Sequence, residues 1–266
     1  MKTIFITGAS SGIGKATSIL FAQRGWKVIS TMRTPEKGKD LLVYENIEIH
    51  PLDVTNPKLI NETVETVLKQ NEVDVLFNNA GFGMKTKFEN MTEEAMIKSL
   101  DTNLLGMIRV TQKFIPYFKK RKSGLILTTT SLAGEMGLIL DGIYAADKWA
   151  VTGLCEMLYS ELAPFNIQVK TLVPGVVKTD FVMEMSPMDG YEQMIQNQMN
   201  LLMPTTDEIE TAEEVAEDVW NIVNDTNKDR MCYVTGKVAL ELYNLRQKMG
   251  AEAFRKHIKT ILCKQN

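Results

Sequence analysis

The sequence predicts an α/β domain: a parallel sheet with helices on both faces. Three observations predict it. Short apolar runs such as KTIFIT, WKVISTM and LILTTT alternate with amphipathic stretches long enough for helices. The run VDVLF is almost uninterrupted in apolar residues, as strands covered on both sides of a parallel sheet are. The first strand passes through a glycine-rich turn, GASSGIG, directly into a helical pattern. At 266 residues the chain fits one such domain, and no repeat or linker divides it.

Lys2–Thr7 forms the first strand, and KATSILFAQRG the helix that ends at Gly25. Gly8, Gly12 and Gly14 stand between them. Glycine reaches backbone angles closed to other residues and lets a ligand approach the main chain. The helix start behind the turn offers unpaired N–H groups and partial positive charge to a pyrophosphate. A tight turn with no ligand could carry the same glycines; the strand-to-helix setting favours a dinucleotide. Trp26–Met32 is the second strand. An acidic residue near its end would hold a ribose 2′-hydroxyl, but Thr31 and Met32 stand there, followed by Arg33. A guanidinium pairs bidentately with phosphate, so the pattern favours NADP(H) over NAD(H). The other reading of Arg33 is a solvated loop charge.

Asn46–His50 is the third strand and leads into PLDVT. Asp53 there either accepts from an adenine amino group or caps the helix starting near Pro57. Glu72–Phe77 is the fourth strand and ends in NNAG. Asn78, Asn79 and Gly81 then lie at a strand's carboxyl end, where open α/β sheets bind ligands. The helix predicted from Thr92 to Lys120 holds Asn103 in its interior. Asparagine competes for backbone bonds, which predicts either a kink with a structural water or an exposed position. LILTTT is the fifth strand and NIQVKTLVPG the sixth. Phe181 to Pro204 carries Met183, Met185, Met188, Met194, Met199 and Met203. We expect a substrate lid over about 181–210, the other reading being packed core. An amphipathic helix from Thr211, the short strand CYVTG and a helical tail with Leu240, Leu242, Leu245 and Met249 complete the chain.

A net charge of −3 without a long basic block gives no reason to expect nucleic acid. Cys155, Cys232 and Cys263 are scattered, which suits a reducing compartment and argues against structural zinc; no metal is expected. The chain opens on a strand, and no apolar run approaches the ~20 residues that span a bilayer. The expected location is cytoplasmic. His50 and His257 are far apart and carry no assigned chemistry.

The chemistry points to Ser131, Tyr144 and Lys148. Tyr144 and Lys148 are four apart, hence one helical turn apart on one face. A free phenol titrates near ~10 and exchanges protons poorly at neutral pH. An adjacent ammonium is expected to favour the phenolate, while a serine hydroxyl at the end of LILTTT holds the reacting oxygen. Alone, Y-x-x-x-K suits an ordinary helix surface; the other motifs decide.

Taken in order, TGASSGIG, NNAG, Asn103, Ser131, the Tyr144/Lys148 pair and PGVVKT resemble the short-chain dehydrogenase/reductase family in its shorter form, from Thr3 to about Asp180. The resemblance implies a Rossmann-type doubly wound parallel sheet of about seven strands in a single domain over 1–266. It implies hydride transfer between NADP(H) and a carbonyl or alcohol, with Asn103, Ser131, Tyr144 and Lys148 as catalytic residues. Asn103 would hold a water relaying protons from Lys148, which would also lower the Tyr144 pKa and hold the nicotinamide ribose. The implied cofactor contacts are Gly8, Ser10, Ser11, Gly12, Ile13, Gly14, Arg33, Asp53, Val54, Asn79, Ala80, Gly81, Tyr144, Lys148, Pro174, Gly175, Val177 and Thr179. A homodimer or homotetramer is the usual assembly. The wording around Arg33 and NNAGFG is similar to steroid, retinoid and general carbonyl reductases, and the methionines suit a lipophilic substrate. Two positions depart from the pattern. Thr130 stands where a second serine is frequent. Asp147 stands where small neutral residues are usual, and its charge would oppose phenolate formation unless it meets solvent or a cation. A non-catalytic NADP-binding regulator and a nucleotide-sugar epimerase are the other readings. The intact Ser/Tyr/Lys set speaks against the first, and the short stretch after Asp180 against the second.

Overall fold

The structure, a computed structural model, describes residues 1–203, 205 and 209–264. Part of the expected lid, residues 204 and 206–208, lies outside them. The first half contains β1 (Thr3–Thr7), α1 (Gly12–Gln23), β2 (Lys27–Met32), β3 (Ile47–Pro51), α2 (Pro57–Gln70) and β4 (Val75–Asn78). Next come β5 (Gly83–Lys85), α3 (Glu93–Ser99), a π-helical turn (Leu100–Leu105), α4 (Gly106–Arg121), β6 (Gly124–Thr129), α5 (Gly142–Leu162) and β7 (Ile167–Pro174). The remainder is β8 (Val177–Lys178), β9 (Met183–Met185), α6 (Glu192–Leu202), β10 (Glu210–Thr211), α7 (Ala212–Asn224), β11 (Cys232–Thr235), α8 (Lys237–Met249) and α9 (Ala251–Leu262).

Seven strands form one sheet in the order β11-β7-β6-β4-β1-β2-β3, every pair parallel. The chain winds outward from β1 to β3, then returns to place β4 on the other side of β1. The order reverses there, so a crevice opens at the carboxyl ends of β1 and β4. Strand alternation explains the two cores. Ile4 and Ile6 face one side with Phe21, Trp26 and Val219; Phe5 faces the other with Leu76, Phe114, Phe118 and Ile126. The expected doubly wound sheet of seven strands is the observed fold. Among the described residues, no helix is long and apolar enough to cross a membrane.

Three local readings change. The helix predicted over 92–120 is broken by the π-helical turn around Asn103. The fourth strand starts at Val75 rather than Glu72. In the tail, Leu242 is buried with Phe254, Ile258 and Leu132, but Leu240 and Met249 are exposed. The tail packs on the chain's own α6 and the turn after Ser131, with Asn197 of α6 donating to the Leu262 and Lys264 carbonyls at the end of α9.

A capping box starts α7: the Thr211 hydroxyl accepts from the Glu214 N–H, and the Glu214 carboxylate accepts from the Thr211 N–H. Lys170 finishes it. Only 1% exposed on β7, Lys170 donates to the carbonyls of Ile222 (2.9 Å) and Asp225 (2.8 Å). A buried cation at a helix C-terminus satisfies carbonyls that no helical N–H reaches and complements the dipole. Lys170→Met keeps the packing and strands both acceptors, so we expect a loss of about 1–3 kcal/mol, read as a lower urea midpoint at unchanged m.

Candidate active site

The Thr7 hydroxyl ties the glycine turn to NNAG, accepting from the N–H groups of Asn79 (2.9 Å) and Ala80 (3.1 Å). The Asn79 amide donates to the carbonyls of Thr7 (3.2 Å) and Gly8 (3.3 Å). Gly8 and Gly12 adopt φ of 70° and 52°, a region L side chains rarely enter. A Cβ at Gly14 would lie 2.5 Å from the Gly8 carbonyl oxygen and 2.6 Å from Asn79 Nδ2. The close packing of helix on turn therefore requires glycine. Ser11 precedes α1 without a side-chain cap, and the first turn holds no acidic residue, which leaves its N–H groups to an anion. Thr179 lies against Gly12, and its hydroxyl accepts from the Phe181 N–H.

Asn103 is buried, not exposed. Its Oδ1 accepts from the Phe82 N–H (3.0 Å), and its Nδ2 lies 3.0 Å from the Phe82 carbonyl, 3.2 Å from Ser99 Oγ and 3.0 Å from Asp147 Oδ2. These sideways bonds replace the ordinary helical preference and account for the π-helical turn. Gly81 lies beside it: a Cβ there would be 3.0 Å from Asn103 Oδ1 and 3.9 Å from Lys148 Nζ. Lys148 donates to the Thr129 carbonyl at 2.9 Å. A small cavity lined by Thr7, Asn78, Asn103, Thr128 and Lys148 runs beneath, and the buried Asn78 Oδ1 and Thr128 Oγ1 find no partner among the described residues. Such a polar pocket suits an ordered water.

Ser131 follows β6 and accepts from the Ala133 N–H at 3.1 Å. Tyr144 keeps part of its surface open, with the Phe181 ring at 6.3 Å between centroids. Loss of hydration pushes the phenol up to about 12; the Ser131 hydrogen bond opposes this, and the charges of Asp141 and Asp147 add to it. Burial pushes the Lys148 ammonium down to about 8, with Asp147 opposing. The direction for Tyr144 is the reverse of that expected from its lysine neighbour. Lys148 Nζ is engaged by Thr129 and stands 5.7 Å from the Tyr144 ring centroid, too weakly placed to offset burial. A phenol in this setting holds its proton at neutral pH and is suited to donating it.

Other expected contacts divide. Val54 packs against Gly106, Ile13 turns toward the core, and Pro174 and Gly175 end β7, where Gly175 meets Ala239. Val177 sits in β8, paired with β10. Ser10 and Ser11 stay partly exposed. Arg33 is exposed, with no hydrogen bond or ion pair to a described residue. Asp53 does not cap α2. That role belongs to Asn56, whose Oδ1 accepts from the Leu59 N–H, while Asp53 Oδ1 accepts from the N–H and hydroxyl of Thr55. Asp147 neither meets solvent nor forms an ion pair among the described residues; it is wholly buried. Ser99 was not foreseen as part of this cluster. Its position four residues before Asn103 was the available signal.

Residues 2–190 match the short chain dehydrogenase family. Over 181 residues the chain is 36% identical to the 3-ketodihydrosphingosine reductase of Bacteroides thetaiotaomicron, covering 68% of this chain and 65% of that protein. The match thus spans slightly less than two thirds of that relative's length. A short-chain dehydrogenase of Streptomyces avermitilis superposes with a TM-score of 0.86 at 26% identity, over 97% of this chain and 94% of that one. The NADP complex of ElxO gives 0.73 at 26% identity, over 88% and 96%. Because the family match runs from the first strand through every residue of the Asn103, Ser131, Tyr144 and Lys148 cluster, the chain belongs to the short-chain dehydrogenases, oxidoreductases that use a nicotinamide cofactor.

Proposed function

We propose that this protein transfers hydride between NADP(H) and a carbonyl or alcohol group on a lipophilic small molecule, with Tyr144 as the acid/base. The observation that carries the reading is the meeting of Lys148 with Gly81 and Asn103 one turn from Tyr144, with the Lys148 ammonium held on the Thr129 carbonyl at the end of the strand that Ser131 follows. The residues fit a dinucleotide. The positive-φ glycines and uncapped start of α1 suit its pyrophosphate, and Arg33, with no competing partner among the described residues, suits a 2′-phosphate. When bound, the cofactor supplies the two-electron hydride exchange. In the reducing direction Ser131 donates a hydrogen bond to the substrate oxygen, and Tyr144 delivers its proton there as negative charge develops. Lys148 steadies the ribose and recharges Tyr144, with Asn103 and the polar cavity holding the water that returns the proton.

Residues 181–203, the described part of the expected lid, act as the lid over this site. Phe181 stands by Tyr144, β9 pairs with β5, and Phe181, Val182, Met183 and Met185 keep large apolar surface exposed. Apolar side chains at the mouth suit a lipophilic ketone, as does the kinship with a ketodihydrosphingosine reductase. A second copy of the chain would cover the exposed Leu105, Trp149 and Met157, giving a homodimer or homotetramer. The test is oxidation of NADPH and NADH by the purified protein against small quinones, steroid ketones, retinal, long-chain keto lipids and keto-acyl esters. Turnover best with NADPH and an apolar ketone is expected. Tight cofactor binding with no turnover on any member would overturn the reading in favour of a binding regulator.

A further inference from the structure

Asp147 lies one residue from Lys148 and one turn from Tyr144, yet the reaction proposed above gives it no task. It is 0% exposed. Its Oδ2 accepts from Ser99 Oγ at 2.5 Å and from Asn103 Nδ2 at 3.0 Å, while its buried Oδ1 has no hydrogen-bond partner among the described residues. Burying a carboxylate oxygen without a partner is costly, so packing alone gives no reason for an acid here. The carboxylate reinforces the face of the Asn103 amide that the Phe82 N–H and carbonyl also select. An acceptor-only group must meet Nδ2, which leaves Oδ1 to the Phe82 N–H beside Gly81. Asparagine or serine at 147 could accept one bond but would bring no charge.

We propose that Asp147 is a positioning residue for the proton-transfer pair: it fixes the Asn103 amide and, through its charge, keeps protons on Lys148 and Tyr144 to higher pH than a neutral side chain would. The surrounding groups leave it that role. Just before the same helix, Asp141 is paired with Lys85 of β5 at 2.6 Å, and within it the buried Cys155 thiol is pushed up to about 11 and stays neutral. Asp101 of the π-helical turn is paired with Arg109 at 2.7 Å. Toward Asp147 itself, α3 presents Ser99, the π-helical turn presents Asn103, and the only adjacent cation on its own helix among the described residues is Lys148. Burial raises the Asp147 carboxyl, and the bonds from Ser99 and Asn103 and the charge of Lys148 pull it back.

This inference rests on the proposed acid/base role of Tyr144, and the two fail separately. Removing a negative charge makes every neighbouring proton easier to lose. In Asp147→Asn the alkaline limb of ketone reduction and the acid limb of alcohol oxidation should both move to lower pH, by about one unit. NADPH affinity should stay within about twofold. Asp147→Ser should show the same shift and serves if the amide variant folds poorly. Asp147→Ala should also lower kcat, which the amide variant restores without restoring the pH limb. Heteronuclear NMR of the lysine side chains in the cofactor-free protein, with K148M assigning the signal, should show Lys148 titrating lower in Asp147→Asn. An unmoved Lys148 titration, or unmoved limbs in a variant that folds and binds NADPH, overturns the proposal. Absence of any Tyr144-dependent turnover in the unaltered protein would instead overturn the function, while the NMR titration still decides the charge of Asp147.

Discussion

Tyr144→Phe should cut kcat for ketone reduction by about 10²- to 10⁴-fold, the usual share of a positioned general acid, while NADPH still binds. The substitution removes one oxygen and keeps the ring that faces Phe181, so the lid contact and the fold survive. What it removes is the proposed proton donor. With the phenol pushed up to about 12 by burial, nearly every Tyr144 carries its proton at neutral pH. Reduction by the unaltered protein should therefore be flat through neutrality and fall only at alkaline pH, as Lys148 and then the phenol lose their protons. Oxidation needs the opposite form and should rise with pH over the same range. In the phenylalanine variant the residual rate should lose the Tyr144-dependent limb. Steady-state kinetics against pH in both directions, with cofactor binding followed by NADPH fluorescence, would check this. A variant that binds NADPH and reduces the best ketone at the original rate would remove Tyr144 from the mechanism.

Which parts of this site were legible in the sequence follows from how local each one is. The glycine turn, NNAG and the Tyr144/Lys148 spacing are short-range patterns whose geometry the backbone dictates, and the fold assembles them at the reversal of strand order. Asn103 was legible as a conflict, a poor helix former inside a helical pattern. Its burial was not, because the bonds that bury it come from Phe82 and Asp147, 21 and 44 residues away. Asp53 shows the opposite limit. A cap is a local feature, but Asp53 and Asn56 both precede α2, and only the structure reveals which one the first turn selects. The direction of the Tyr144 pKa was missed because spacing supplies the neighbouring charge but not the loss of hydration, and here burial wins. Likewise, Leu240 and Met249 fit an apolar helical pattern that the packing of α8 on α9 leaves in solvent.

Arg33→Asp should reverse cofactor choice, moving the NADPH-to-NADH ratio of kcat/KM by about 10²- to 10³-fold; charge-assisted hydrogen bonds contribute roughly 1.5–3 kcal/mol and an introduced carboxylate adds repulsion. The end of β2 is why the proposed choice is assigned to this one residue. Thr31 is buried and donates its hydroxyl to the Ile6 carbonyl at 2.9 Å, and Met32 is buried against Gly38. Neither side chain reaches outward. Arg33 is the first that does, and its guanidinium has no partner among the described residues to give up. Lys15 of α1 is already paired with Asp40 at 2.6 Å and is a weaker candidate for a phosphate. Arg33→Ala should lose only the attraction, about 10- to 100-fold against NADPH with little change for NADH. If Arg33 reads only the 2′-phosphate, as proposed, kcat at saturating NADPH should hold while KM rises, a split that Tyr144→Phe reverses. An unaltered protein that prefers NADH, or an aspartate variant with the original ratio, would show that the 2′-phosphate is read elsewhere or not at all.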